Sequence, residues 1–133
     1  MASIDVKPYS YEAGVCNIGP AEIRARRMTG WAGLLVTVLL LALLVAFHAG
    51  HWWRLFVFLP ASMSASGFLQ AYFHFCSGFG MQGVYNFKDK VGKTEKVTDS
   101  EALKKDRSKS LRIALYSAAV GAAVTVMAFF LPL

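Results

Sequence analysis

At 133 residues, with 56% hydrophobic content and a mean hydropathy of +0.44, the chain is too apolar for an ordinary soluble domain and too short for two domains. Its formal charge of +6, from 14 Lys and Arg against 8 Asp and Glu, would suit nucleic acid if the cations formed an interleaved patch; they gather beside apolar runs instead, which points to a membrane surface. Two cysteines, Cys16 and Cys76, make no disulfide framework.

Residues 1–19 hold Pro8, Gly14, Gly19 and the tyrosines Tyr9 and Tyr11 without sustained periodicity and read as an extended cytoplasmic arm. They lack the basic-then-apolar pattern of a cleavable signal. Pro20 suits the first position of a helix. Residues 20–48 read as a surface turn carrying Glu22, Arg24, Arg26 and Arg27, then a first apolar span. With its flanks, the run WAGLLVTVLLLALLVAF reaches the roughly 20 residues that cross a hydrocarbon core of roughly 30 Å.

A short turn from His48 follows, with Trp52 and Trp53 at the second interface. The second span covers residues 52–76, with a kink expected at Pro60, whose missing amide proton frees the Phe56 carbonyl. The glycine-rich run after Cys76 opens a basic loop over residues 77–98. Thr98 and Glu101 have capping-box spacing, so a third helix should start in polar sequence and continue as one rod over residues 99–131.

Thirteen of the 14 basic residues lie before the first span or within residues 86–112, and only Arg54 lies in the hairpin turn. The positive-inside rule then places the N-terminus in the cytoplasm and the C-terminus on the far side. The expected fold is all-α: one integral membrane domain of three transmembrane helices in a small bundle.

Each span carries small or polar residues at i, i+4 and i+8: Thr29, Gly33 and Thr37; Ser62, Ser66 and Gln70; Ser117, Gly121 and Thr125. Helices in lipid associate through close backbone approach and interhelical hydrogen bonds worth only about 0.6 to 2 kcal/mol each. These positions are expected to pack within the bundle or against a partner's helix. The second stripe extends to His74. Gln70 and His74 are costly to leave facing hydrocarbon. Bonding to neighbouring helices, contact with a partner, ligation of a haem or chlorin by His74 or His48, and ion conduction are the roles open to them.

Cys16 precedes the first helix and Cys76 ends the second, so the hairpin brings both to one interface on the reducing side. A thiol beside a helix N-terminus can have a lowered pKa, which sets thiol chemistry against the simpler reading of two unrelated cysteines. With His74 they make three ligands, one short of a structural zinc site, and no metal is assigned. His48 and His51 sit beside Trp52 and Trp53 as interfacial anchors. There is no nucleophile elbow, no phosphate-binding glycine loop and no carboxylate in an apolar span, and an enzyme is not expected.

The run Asn17-Ile18-Gly19-Pro20-Ala21-Glu22, then Arg24, Arg26 and Arg27, a hairpin, and Phe75-Cys76 with Gly80 and Gly83 resembles the YgaP-like transmembrane family. That is a small two-helix inner-membrane family of bacteria, found also fused to membrane rhodaneses. The likeness covers residues 16–83, about half the chain. It implies that Asn17, Gly19, Glu22 and Arg26 fix the entry of the first helix against the Cys76 turn, and that Cys76 handles sulfur. This chain departs in having no rhodanese domain, no proline after Cys76, and a third helix.

The expectation for the whole is a non-enzymatic accessory or structural subunit of a larger protein complex in the bacterial inner membrane. Its basic segment, residues 88–112, would lie against anionic headgroups, and its other partners would be membrane proteins and not nucleic acid. A thiol or sulfur relay through Cys16 and Cys76, and a small oligomeric channel or transporter lined by the Gln70 and His74 stripe, are the alternatives.

Overall fold

The computed structural model describes residues 10–132; the first half of the arm, with Pro8 and Tyr9, and the last residue lie outside the described residues. Helix makes up 70% of the described residues. The order is α1 (Pro20–Ala46), a 3-10 helix (His51–Val57), α2 (Phe58–Phe73), α3 (Ser77–Gln82), β1 (Val84–Tyr85), β2 (Glu95–Lys96) and α4 (Ser100–Phe129). Three stretches, Pro20–Ala46, His51–Phe73 and Ser100–Phe129, are long and apolar enough to cross a membrane. At about 1.5 Å per residue α4 is about 45 Å long. It outreaches an apolar slab of about 30 Å, and the surplus is its charged first turns.

The boundaries follow from local chemistry. Pro20 opens α1 at a position that needs no amide donor, and Glu22 sits in the first turn where a carboxylate suits the helix dipole. Pro60 is the third residue of α2, again where no intrahelical donor is required. The kink expected inside one continuous helix over residues 52–76 is therefore replaced by a change of helix type, with a tighter 3-10 winding before Phe58. α2 stops at Phe73, because His74 adopts a left-handed conformation with φ 56° and its amide closes on the Gln70 carbonyl. At α4 the cap moves one residue from the expected Thr98: Asp99, an equally good acceptor, takes the Ala102 amide at 3.3 Å.

The three long helices form a row. α2 lies in the middle, packed on α1 along one side and on α4 along the other, while α1 and α4 scarcely meet. Two opposite faces of α2 are therefore used. Ser64 and Gly67 face α1: a Cβ on Gly67 would stand 2.9 Å from Gly30 Cα, and one on Gly33 would stand 2.8 Å from Ser64 Cα. Ser62, about 200° round the helix from Ser64, abuts Gly121 of α4.

The expected stripes are partly redrawn. On α1 the buried seam uses Gly30 and Thr37 with Gly33, while Thr29 is exposed and donates to its own helix at Ala25 O. On α4, Ser117, Gly121 and Thr125 are buried with Asp106, Ser110, Ile113 and Ala128. The hydroxyls of Thr37, Ser117 and Thr125 bond the carbonyl four residues back, at 2.6 to 2.7 Å, and not a neighbouring helix. The i−4 carbonyl is always within reach of such a side chain. Ser64 is an exception, donating across to Gly30 O at 2.7 Å.

Residues 77–98 hold more than a loop. α3 packs on the start of α4, with Ser110 Oγ donating to Ser77 O at 2.8 Å, and β1 pairs with β2 antiparallel, Val84 opposite Lys96 and Tyr85 opposite Glu95. The arm is also fixed where it is described. Ile18 bridges to Asn86 in parallel register and is fully buried, and it packs with Ile23, Ala71, Cys76 and Phe79.

Candidate functional site

Two groups of buried polar side chains close the ends of the helix row. At the charged end, Asn17 lies directly against the turn after α2. Its Nδ2 donates to Cys76 O at 3.1 Å, and Cys76 N donates to its Oδ1 at 2.7 Å. Its backbone continues the pattern: Asn17 N donates to His74 O, Asn86 N to Asn17 O, and Gly19 N to Asn86 O.

One turn into α1, the Glu22 carboxylate is 1% exposed. Its Oε2 accepts from Asn86 Nδ2 at 2.8 Å and from Gly92 N at 2.7 Å, and its Oε1 pairs with Arg26 Nη1 at 3.0 Å. The second nitrogen of Arg26, Nη2, donates to Cys76 Sγ at 2.9 Å, and the guanidinium lies 5.4 Å from the centre of the Phe79 ring. Asn86 also donates to Lys90 O and accepts from Lys88 N, which winds the loop around it. Asn17, Glu22, Arg26, Cys76 and Asn86 thus form one connected set.

Beside it, Asp106 on α4 is fully buried. It accepts from Tyr11 Oη at 2.7 Å and from Gly14 N at 2.8 Å, which ties the arm to α4. Gly14 has φ 70°, a conformation that favours glycine. Burial, then the bond to Asp106, push the Tyr11 phenol well above the usual tyrosine range. Cys16 is half-buried, with its thiol bonded to Ile18 O at 3.7 Å. Burial raises its pKa despite that bond, with Glu12 adding to the rise. The lowered pKa that a helix N-terminus can give is therefore not what Cys16 has.

Gln70 Nε2 donates to Ser66 O and Oγ, and its Oε1 accepts from Ser77 N, so it joins the end of α2 to the start of α3. His74 leaves the Ser62, Ser66 and Gln70 stripe because its backbone ends the helix. Among the described residues no three His, Cys, Asp or Glu side chains gather as a metal-holding group, so Cys16, Cys76 and His74 do not form the set that their spacing allowed.

At the opposite end Arg54, 1% exposed, donates through Nη1 to Ala128 O at 2.8 Å and Leu131 O at 2.9 Å. A cation from the 3-10 helix thereby serves a carbonyl in the last turn of α4 and one just beyond it, where the helix itself has no basic residue. His51 Nδ1 lies 2.6 Å from Phe129 O in the same cluster.

Sequence reasoning missed Arg54, Asn86 and Asp106 as structural residues. For Arg54 there was a signal, its isolation from the other cations. For Asp106 the signal was spacing: with Ser110, Ser117, Gly121 and Thr125 it extends the small-residue seam by three turns. Asn86 had none.

No family model, curated protein or solved structure matches the chain.

Proposed function

We propose that the protein is a multi-pass membrane protein that serves as a non-enzymatic, structural or accessory subunit of a larger complex in the bacterial inner membrane, with its charged end in the cytoplasm. The observation that carries this reading is how the buried ionisable groups are spent. Glu22 and Asp106 are taken up by backbone amides and neighbouring side chains that fasten the chain to itself. The helix row stays unclosed, with Leu35, Val36, Val38, Leu39 and Leu43 of α1 exposed for lipid or for a partner's helices. Purification in mild detergent should recover the protein within a larger assembly. Migration as a lone chain under native conditions would overturn the reading, and tags at both ends reporting from one side would overturn the orientation.

A second reading is favoured by the Arg26 and Cys76 pair. Arg26 Nη2 donates to the Cys76 sulfur at 2.9 Å, which holds the side chain in a fixed place at the turn, and the resemblance to the two-helix family implies this neighbourhood and a sulfur-handling Cys76. Cys16, with its raised pKa, is the weaker half of such a relay. Alkylation of the native protein decides: a Cys76 that reacts no faster than in the unfolded chain, and equally in Arg26→Met, removes the thiol reading. A channel lined by the Ser62 to His74 stripe has the least support, since Ser62 abuts Gly121 and Gln70 is bonded internally.

A further inference from the structure

A hollow of about 230 Å³ lies where the arm crosses α4, lined by Ala13, Gly14, Lys105, Ser108, Lys109 and Arg112. One water occupies roughly 30 Å³ in the liquid, so the space holds a group several times larger. Three of its six lining residues are cations and none is a carboxylate. The nearest buried acid, Asp106, is occupied by Tyr11 and Gly14 N.

The positions 105, 108, 109 and 112 share one face of α4. Like charges at such spacing repel, so the fold holds a cost here that an anion would relieve. Two contacts shape the hollow. The turn at Gly14 rests on Lys105, whose Cβ would lie 3.1 Å from a Cβ at residue 14, and Lys109 Nζ is fixed 4.2 Å from the centre of the Phe73 ring.

The depth of the hollow matters as much as its charge. Arg112 is the last charged residue of α4, and the apolar sequence starts at Ile113. Continuing down the same face come Tyr116 and Val120, the latter about 12 Å further along the axis. Val120 lines an apolar groove of about 220 Å³ with Leu34 of α1 and Ala65 and Phe68 of α2. A neighbouring hollow lined by Leu41, Val124, Met127 and Leu131 follows towards the tryptophan end. The groove exists because the helices form a row, leaving α2 uncovered between α1 and α4.

We propose that this is a binding site for one anionic phospholipid: the phosphate sits among Lys105, Ser108, Lys109 and Arg112, and an acyl chain lies in the groove over α2. The inference rests on the membrane reading above and adds a specific ligand class to it. Lysine and arginine donate charge-assisted bonds to phosphate oxygens and Ser108 adds a hydroxyl, while diffuse attraction to a charged surface needs no pocket.

The test uses the full chain reconstituted in phosphatidylcholine nanodiscs containing a minor fraction of phosphatidylglycerol, with lipid retained after detergent release counted by native mass spectrometry. Retention of one phosphatidylglycerol in preference to phosphatidylcholine is expected. The triple variant Lys105→Ala, Lys109→Ala, Arg112→Ala should lower it roughly tenfold or more, whereas removing the same charge at Lys88, Lys90 and Lys93 should change it less than about twofold. Because Lys109 also packs on Phe73, the double variant Lys105→Ala, Arg112→Ala serves as the version that spares that contact, and it should show most of the loss. Equal losses in the two triples, or no preference between the lipids, overturn the site. Inorganic phosphate that displaces phosphatidylglycerol at equal concentration overturns the lipid assignment in favour of free phosphate. Failure of the wild-type chain to enter nanodiscs instead overturns the membrane reading itself.

Discussion

Asn17 and Cys76, 59 positions apart, exchange two hydrogen bonds, side-chain amide to backbone peptide, in the manner of paired strand residues. The pair joins the arm to the turn after α2, and both residues are buried. Asn17→Ala leaves the Cys76 amide and carbonyl without these partners, at about 1–3 kcal/mol for each buried group. Thermal unfolding in detergent should show a clear loss. Asn17→Asp keeps the acceptor and loses the donor, and should fall between the two. An unchanged midpoint in Asn17→Ala would show that the pair holds nothing.

Glu22 has three partners, Asn86, Gly92 and Arg26. Glu22→Ala strands Arg26 and the Asn86 and Gly92 donors together, for which about 3–5 kcal/mol is expected. Arg26→Met should cost less, because its side chain is 19% exposed and water can replace part of the pairing. A double-mutant cycle on Glu22 and Arg26 measures their coupling. Additive single effects would mean that the ion pair contributes nothing.

Gly67→Ala and Gly50→Ala form a matched comparison. The first drives a methyl group into the backbone of Gly30 and Arg26, within 2.7 Å of Arg26 O, and the second meets nothing within 4 Å. Overpacking of that kind costs about 1–3 kcal/mol. The helix row should therefore be destabilised by Gly67→Ala and indifferent to Gly50→Ala, read by resistance to unfolding in denaturing detergent.

Tyr11 gives the fold an alkaline limit. Its pKa is raised in the folded state, so the native protein holds the phenolic proton more tightly than the unfolded chain does. The resulting stability is complete below the ordinary tyrosine pKa of about 10 and is lost as pH climbs above it. Unfolding midpoints should decline above about pH 10 in the wild type, and Tyr11→Phe should flatten that decline while lowering stability at neutral pH.

Arg54→Met should loosen the end of α4. Removing the donor uncovers the Ala128 and Leu131 carbonyls, and hydrogen exchange should speed up in the final turn of α4 while leaving its capped start at Asp99 unaffected. Uniform exchange along α4 would show that Arg54 has no local role.

Three long helices, their approximate spans and the gathering of cations at one end were legible from the residues alone, because apolar length and charge placement are one-dimensional properties. So were Gly33, Ser117, Gly121 and Thr125 as packing positions, since period and residue size are written in the chain. Pro60 was visible but its effect was not, because whether it kinks a helix or begins one depends on where the winding starts.

Which face of α2 meets which neighbour had to come from the tertiary structure. Ser62 and Ser64 are two residues apart and chemically identical, yet one serves α4 and the other α1, since a middle helix in a row needs two small faces. The fastening of Asn17 to Cys76, the shared Glu22 carboxylate, the buried pairing of Asp106 with Tyr11 and the reach of Arg54 to the end of α4 are all long-range. Each depends on bringing a donor and an acceptor within about 3 Å. Sequence supplies the partners but not the meeting, because hydrogen-bond range is set by the packing of helices that are far apart along the chain.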